Sequence, residues 1–322
     1  MLSIIIPNRN GERTIGKCLA AIYGNMPPDI EVIVVDDCST DGSVDIIRKS
    51  PCKLIRLESH SGAGRARNEG AKAAGGETLF FTDSDCLITK GTIETALNTV
   101  REHPDTLIGG TYTPLPYDRD FFSKFQSVFV NHAEGSMTPS PDYVATHAML
   151  IRRGLFLESR GFREDFLPII EDVEFSHRMR RGGMRLLMNP ALLIKHIFGF
   201  SLWKSLKNAF RKSFYWTIYS IGNKDLFRDS GTASIGLKAN VALQFLTACL
   251  FALYLISHNA LFPAVSGMLF GLNLFISRGF VRALWKADGP LFALKAMAYY
   301  TTLYAAAVGL GGVVGVLRCI RL

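Results

Sequence analysis

The chain has 322 residues, 48% of them hydrophobic, with a mean hydropathy of +0.18 and 36 lysines and arginines against 28 aspartates and glutamates, a net charge of +8. That length suits one large or two ordinary domains, and the hydropathy is high for a purely soluble protein. Basic residues crowd just before and between the apolar runs of the last third, which fits an anionic membrane surface and argues against nucleic acid as the partner. The cysteines (Cys18, Cys38, Cys52, Cys86, Cys249, Cys319) form no CxxC pair or zinc-like cluster and read as reduced, packed thiols. The apolar start, Leu2 to Ile6, is too short for a signal peptide and runs straight into Pro7, so the N-terminal domain is expected in the cytoplasm.

Ser3 to Ile6 reads as a short buried strand ending in the turn Pro7-Asn8-Arg9-Asn10-Gly11, after which Ile15, Cys18, Leu19 and Ile22 recur at helical spacing. A second strand, Ile30 to Val35, ends in Asp36-Asp37-Cys38-Ser39-Thr40-Asp41-Gly42, and a helix follows through Ile46 and Ile47. Leu54 to Leu57 is the third strand, and the loop Ser61-Gly62-Ala63-Gly64 leads into a helix carrying Arg65, Arg67 and Lys72. The fourth strand, Leu79-Phe80-Phe81, closes on Thr82-Asp83-Ser84-Asp85. Asp-Ser-Asp is ordinary turn chemistry. In an extended chain, though, residues at i and i+2 point to one side, so Asp83 and Asp85 can face one site and hold a divalent cation.

Strands that alternate with helices, each strand almost continuously apolar, indicate an α/β fold with a parallel sheet covered on both faces. Ligands bind such sheets outside the carboxyl ends of the strands, where Pro7-Asn8, Asp36-Asp37 and Asp83-Asp85 all fall. No G-x-G-x-x-G follows the first strand and no P-loop occurs anywhere. A carboxylate pair, acidic residues after the second strand, and Arg65 and Arg67 suit a nucleoside diphosphate instead, with carboxylates on base or ribose and cations on the diphosphate.

The segments Ser3–Asn10, Val34–Gly42, Gly64–Gly70 and Asp83-Ser84-Asp85 resemble, in order, the successive motifs of family 2 inverting glycosyltransferases. The resemblance covers about the first 200 residues. It implies a GT-A fold (Rossmann-like, mostly parallel sheet), a nucleotide-sugar donor held by Pro7, Asn8, Asp36, Asp37, Arg65, Arg67, Asp83 and Glu171, and a divalent metal, Mg2+ or Mn2+, on Asp83 and Asp85. Asp85 is the direct ligand in that family. Glu171-Asp172 is similar to the family's Glu-Asp motif, which makes Asp172 the general base, although acids at a helix start also complement its dipole. His196, after the strand Ala191 to Ile194, corresponds to a histidine that approaches the diphosphate or metal in many relatives, or is a plain loop residue. No Gln-x-x-Arg-Trp follows the Glu-Asp motif, so a single transfer is expected rather than polymerisation.

Between these motifs, Thr106 to Gly109 reads as another strand, and Asp120 to Glu134 has helical spacing through Phe121, Phe125, Val128 and Phe129. Phe121, Phe122 and Phe125 line a groove or, on the general habit of aromatics, pack against the sheet. Thr146 to Ile151 looks like the family's acceptor-side strand, in which His147 either touches substrate or is a hydrogen-bonded structural histidine.

Ser201 to Ile221 places Leu202, Leu206, Phe210, Phe214 and Ile218 near one helical face and Lys204, Lys207, Arg211 and Lys212 on the other, the pattern of an interfacial helix or of a surface helix on the catalytic domain. Three apolar runs follow, Ala239–Ile256, Leu261–Ile276 and Ala296–Leu317. The middle run is shortest, carries Pro263 and fits a re-entrant segment as well as a span. Arg278, Arg282, Lys286 and Lys295 put the segment after it on the cytoplasmic side, whereas three spans would send Arg318 and Arg321 across.

The expected organisation is a GT-A domain over 1–200, an interfacial helix and linker over 201–234, and about three transmembrane helices over 235–322. The expected function is transfer of a sugar from a nucleotide sugar, a UDP-sugar, to a hydroxyl of a lipid or lipid-linked glycan in cell envelope polysaccharide synthesis, at the inner (plasma) membrane. A polyprenyl-phosphate glycosyltransferase is the first alternative, but its phosphate nucleophile needs no general base. The second is a non-catalytic nucleotide-sugar-binding component of a polysaccharide export assembly.

Overall fold

The computed structural model describes residues 1–320 apart from 26, 28 and 166, so Arg321 lies outside the described residues. Its first part alternates as expected: β1 (Leu2–Asn8), α1 (Ile15–Tyr23), β2 (Ile30–Asp36), α2 (Ser43–Arg48), β3 (Lys53–Arg56), α3 (Ala63–Ala73) and β4 (Thr78–Phe81). Then come β5 (Cys86–Ile88), α4 (Thr92–Glu102), β6 (Thr106–Tyr112), α5 (Phe121–Gly135), β7 (Met149–Arg152), α6 (Arg153–Glu158), α7 (Glu171–Arg181) and β8 (Arg185–His196). The strands form one sheet in the order β3-β2-β1-β4-β7-β6-β8-β5. β3, β2, β1 and β4 are parallel neighbours, as are β6 and β8, while β7 is antiparallel to both β4 and β6, and β5 to β8.

The apolar runs Ile4–Ile6 and Val32–Val35 are buried on both faces of the sheet, which is why they lack the alternation of a half-exposed strand. In α3, a Cβ on Gly70 would lie 2.5 Å from Ile5 Cγ2, so only glycine lets this helix sit so low on β1. Asn68, two residues earlier, donates to the Phe162 carbonyl at 2.8 Å and accepts from its amide at 2.9 Å, tying α3 to the loop before α7.

Residues divide into two compact units, Met1–Asp118 with Glu134–Phe198, and Arg119–Ala133 with Gly199–Leu322. The expected boundary near residue 200 therefore omitted one exchange, because most of α5 belongs with the C-terminal helices. Phe125 is fully buried, with ring centroids 4.9 Å from Tyr299, 5.1 Å from Tyr304 and 6.0 Å from Phe280. The expectation that Phe121, Phe122 and Phe125 pack against the sheet is thus corrected. Helical spacing identifies a buried face but not the surface that covers it.

The C-terminal unit contains α8 (Leu202–Asn223), α9 (Ile235–Ser257), α10 (Leu261–Ile276), α11 (Arg278–Tyr299), a π-helical turn at Tyr300–Tyr304 and α12 (Ala305–Ile320). α11 breaks at Asp288 and Gly289, just before Pro290. α8 buries its small side, Ser205, Ala209 and Thr217, while Trp203 stands 78% exposed. The reason is in α12, where Cβ atoms on Gly311 and Gly315 would lie 2.4 and 2.9 Å from the carbonyl oxygens of Phe210 and Phe214, so the two backbones meet closely. Among the described residues, two helical stretches are long and apolar enough to cross a membrane, Gly231–Ser257 and Arg278–Ile320, and Leu261–Ile276 is shorter. The basic segment from Arg278 to Lys295 lies within α11, on both sides of that break.

Candidate active site

The sheet delivers its polar strand ends to one rim. After β2, Asp36 accepts from Asn8 Nδ2 at 2.9 Å and from the Ser39 amide and hydroxyl, fixing the turn that follows. Asp37 accepts from the amides of Ser61 (2.7 Å) and Gly62 (2.9 Å) and pairs with His60 Nδ1 at 2.7 Å, so it pins the loop that enters α3. Pro7 lies opposite Val35 and Asn8 opposite Asp36 in the β1–β2 register. Asn8 Oδ1 is buried with no hydrogen-bond partner among the described residues.

Arg67 projects from α3 into the centre of this rim. Only 4% exposed, it donates to Asp83 Oδ1 at 2.7 Å and to Glu171 Oε1 at 2.5 Å, joining the end of β4 to the start of α7. Burial opposes ionisation of Asp83, but the charge and hydrogen bond of Arg67 outweigh it and hold the carboxyl below its ordinary range. Arg65 points elsewhere, its Nε 3.8 Å from Glu164 at the surface. The structure brings Arg67, Asp83 and Glu171 together and leaves Arg65 outside.

Asp85 belongs to a second cluster. The antiparallel β5–β8 register sets Cys86 opposite His196, and the Ile197 amide donates to the Asp85 carbonyl at 2.8 Å. His196 Nε2 comes within 3.3 Å of Asp85 Oδ1, and one ligand atom from each of Asp85, Cys86 and His196 lies within 4.8 Å of the others. Burial, then the neighbouring Asp83, push the Asp85 carboxyl up despite His196, a penalty that a cation would relieve. Burial and the two carboxylates also push the Cys86 thiol well up, so it stays protonated. Asp83, turned to Arg67, is not in this group.

Asp172 sits in the first turn of α7, after Ile170 in a left-handed conformation (φ 68°). Its Oδ1 accepts from the Val173 amide at 2.9 Å and its Oδ2 from the Thr146 amide at 3.3 Å. Burial and the adjacent Glu171 raise its pKa to about 6 against the opposing charge of Arg67.

Beneath lies a polar layer the sequence did not disclose. His147 Nε2 is 3.3 Å from Glu134 Oε2, which also accepts from the Thr111 hydroxyl at 2.7 Å, and Tyr112 stacks on the His147 ring at 4.1 Å. His147 and Glu134 are 6% and 2% exposed. Burial disfavours the imidazolium, yet Glu134 more than compensates and raises the His147 pKa. This geometry sets His147 between Glu134 and Tyr112, with Asp83 and Asp172 close enough to add to its raised pKa. Glu134 was visible only as an acid ending an apolar helical pattern.

Residues 3–158 match the family described as Glycosyl transferase family 2. The chain is 40% identical over 108 residues to the poly(ribitol-phosphate) beta-N-acetylglucosaminyltransferase TarS of Staphylococcus aureus, covering 31% of this chain and 19% of that protein. It is 33% identical over 206 residues to an uncharacterized glycosyltransferase of Haemophilus influenzae, covering 59% of this chain and 63% of that protein. Each match thus spans less than two thirds of the curated relative. Among solved structures, mannosyltransferase PcManGT from Pyrobaculum calidifontis, in complex with GDP-Man and Mn2+, aligns with a TM-score of 0.59 at 18% identity over 97% of this chain and 86% of that one, a likeness of fold. With the motif-bearing rim and sheet described above, these matches place residues 3–158 in glycosyl transferase family 2 and give the N-terminal part the GT-A fold.

Proposed function

We propose that this glycosyltransferase is membrane-anchored, metal-dependent and inverting, and moves a sugar from a UDP-sugar to a hydroxyl of a lipid or lipid-linked glycan on the cytoplasmic side of the inner (plasma) membrane. The observation that carries this reading is Asp172, a carboxylate held by two backbone amides with a pKa raised to about 6, beside the Arg67–Asp83–Glu171 cluster. A base near neutrality removes the acceptor hydroxyl's proton as its oxygen bonds to the anomeric carbon. The bond from that carbon to the diphosphate breaks on the opposite face, and the electron pair leaves with the nucleoside diphosphate. A phosphate acceptor would have no proton to give and no use for such a base. By its name, TarS acts on poly(ribitol-phosphate), a hydroxyl-bearing polymer, which supports a hydroxyl acceptor here.

Asp85 and His196 offer a carboxylate and an imidazole, a mixed set that suits Mn2+ better than the all-oxygen preference of Mg2+. When bound, such an ion neutralises charge on the departing diphosphate. Asp83, oriented by Arg67, is left to bind the donor. The exposed apolar flanks of α9 and α10, including Phe251 and Met268, support the membrane anchor.

Asp85→Asn is expected to remove at least about 10²-fold of the activity, in the range lost with one electrostatic stabiliser of a leaving group. Excess chelator should do the same to the wild type. Full turnover in chelator would refute the metal dependence. The overall reading is tested by assaying the detergent-solubilised full chain against a panel of nucleotide sugars with lipid extract as acceptor. Donor hydrolysis or transfer supports an enzyme, and donor binding with neither supports the non-catalytic alternative.

A fragment ending near Gly199 retains α5 without the helices that cover most of it. Exposing Phe125 and Phe129, otherwise buried, should make it aggregate or demand detergent. Polar replacements at Phe121, Phe125 and Phe129 should recover a soluble, nucleotide-binding fragment, as size-exclusion chromatography would report. A monodisperse unmodified fragment would contradict this.

A further inference from the structure

The Asp85–His196 pair has a sulfur beside it. Cys86 opens β5 opposite His196, and its Sγ lies 3.8 Å from Asp85 Oδ1, the same oxygen that His196 Nε2 approaches at 3.3 Å. One donor atom from each of the three residues falls within 4.8 Å of the others. An ion with bonds of about 2.3 Å to sulfur and about 2.1 Å to nitrogen and oxygen sets tetrahedral donors about 3.6 Å apart for sulfur–oxygen and about 3.4 Å for nitrogen–oxygen. The observed 3.8 and 3.3 Å are close to those separations, so closing on a cation needs only small side-chain shifts. The set is also held in place. The Cys86 amide donates to the Asp83 carbonyl at 3.0 Å, and the His196 ring stacks on Phe198 at 3.9 Å with Tyr112 edge-on at 5.0 Å. Neighbours of this kind orient ligands before an ion arrives. The Asp85 side chain is 39% exposed and Cys86 is wholly buried, so an ion enters from the Asp85 side and meets sulfur at the base of the site.

We propose that Cys86 is a third ligand of the cation, and that the site therefore takes a thiophilic divalent ion of the Co2+ or Zn2+ type in preference to Mg2+. On binding, the S–H bond breaks, sulfur keeps the electron pair and shares it with the ion, and the proton passes to solvent. One thiolate and one carboxylate then match the two charges of the ion, with imidazole neutral, which suits a buried site better than an uncompensated charge. Sulfur is a poor ligand for Mg2+, and affinity for a set with nitrogen and sulfur rises from Mn2+ to Co2+ and Zn2+. Three protein ligands still leave coordination positions for a diphosphate. The ligand set rests on the metal dependence proposed above and adds to it the class of ion.

The test uses the metal-stripped full chain in detergent, titrated with Co2+ alone and with Co2+ plus UDP. Equilibrium dialysis reports the ion bound, and absorption spectroscopy reports the sulfur-to-cobalt charge-transfer band. Wild type should bind Co2+ and show the band. Zn2+ should displace the Co2+ more readily than Mn2+ does, and Mg2+ should not displace it at about hundredfold excess. Cys86→Ser should lose the band and bind Co2+ at least about tenfold more weakly, because even an outer-shell partner is worth that much. Asp85→Asn should diminish the band at the same Co2+ concentration, which ties the sulfur to this cluster and decides the matter if Cys86→Ser misfolds. Co2+ bound without the band, or a band unchanged in either folded variant, overturns the sulfur ligand and leaves the metal dependence standing. Displacement by Mg2+ as readily as by Zn2+ overturns the class of ion. Failure to bind Co2+, Zn2+ or Mn2+, with or without UDP, overturns both the ligand and the metal dependence.

Discussion

Asp172→Asn is expected to lower single-turnover transfer by about 10²–10⁴-fold while leaving donor affinity unchanged, because the amide keeps the shape of the base and removes its proton acceptor. The wild-type rate should rise with pH through an acid limb near 6, where burial and Glu171 have moved this carboxyl, and the variant should lack that limb. Stability should move the other way. A carboxyl whose folded pKa stands at about 6, above an ordinary 3.8, contributes stability that is fully present below 3.8 and lost as pH rises through about 6. At neutral pH the native state therefore carries a buried charge it disfavours by about 3 kcal/mol. Asp172→Asn removes that charge but turns an amide donor toward the Thr146 or Val173 N–H, so a smaller net gain of about 1 kcal/mol is expected, seen as a higher unfolding midpoint. Near-normal transfer by the variant, with donor binding intact, would sink the hydroxyl-acceptor reading and favour a phosphate acceptor.

Arg67→Met should be the most destabilising single change in the rim. It leaves Asp83 and Glu171 facing each other without their shared cation, and removing one partner of a buried ion pair costs about 3–5 kcal/mol. Asp83 keeps some access to water, so the lower end of that range applies. Neutralising both acids, with Asp83→Asn and Glu171→Gln added to Arg67→Met, should restore most of the stability and none of the transfer. Chemical denaturation in detergent, compared across the single and triple variants, reads this out. A triple variant no more stable than the single one would show that Arg67 acts through packing on Phe162, 5.9 Å from its guanidinium, rather than through charge.

Much of the N-terminal half was legible because its signals are local. Continuous apolar runs cannot be half-exposed strands, and acids at the ends of β2 and β4 have no reason to be apolar-strand residues. Each motif also contains residues that make contacts within the fold. Asp36, Asp37, Asn68 and Gly70 hold turns, loops and helix contacts that put the rim in place, contacts that no local pattern in the sequence discloses. The same limit applies to Arg65 and Arg67. They stand two positions apart on one helix, and the turn of about 200° between them sends one to surface Glu164 and the other to the buried acids.

What the sequence determined by itself was the order of strands and helices, the family motifs, and the existence of long apolar segments, all of which depend on residues near one another in the chain. Tertiary structure decided the pairings. It set Asp83 against Arg67 and Asp85 beside His196, the latter because β5, which starts at the next residue, pairs with β8 so that Cys86 lies opposite His196. It joined Glu134 to His147 beneath the rim, and it gave α5 to the C-terminal helices rather than to the sheet. Such contacts span many residues of chain, and hydrophobic burial, being non-directional, records that a face is covered without recording by what.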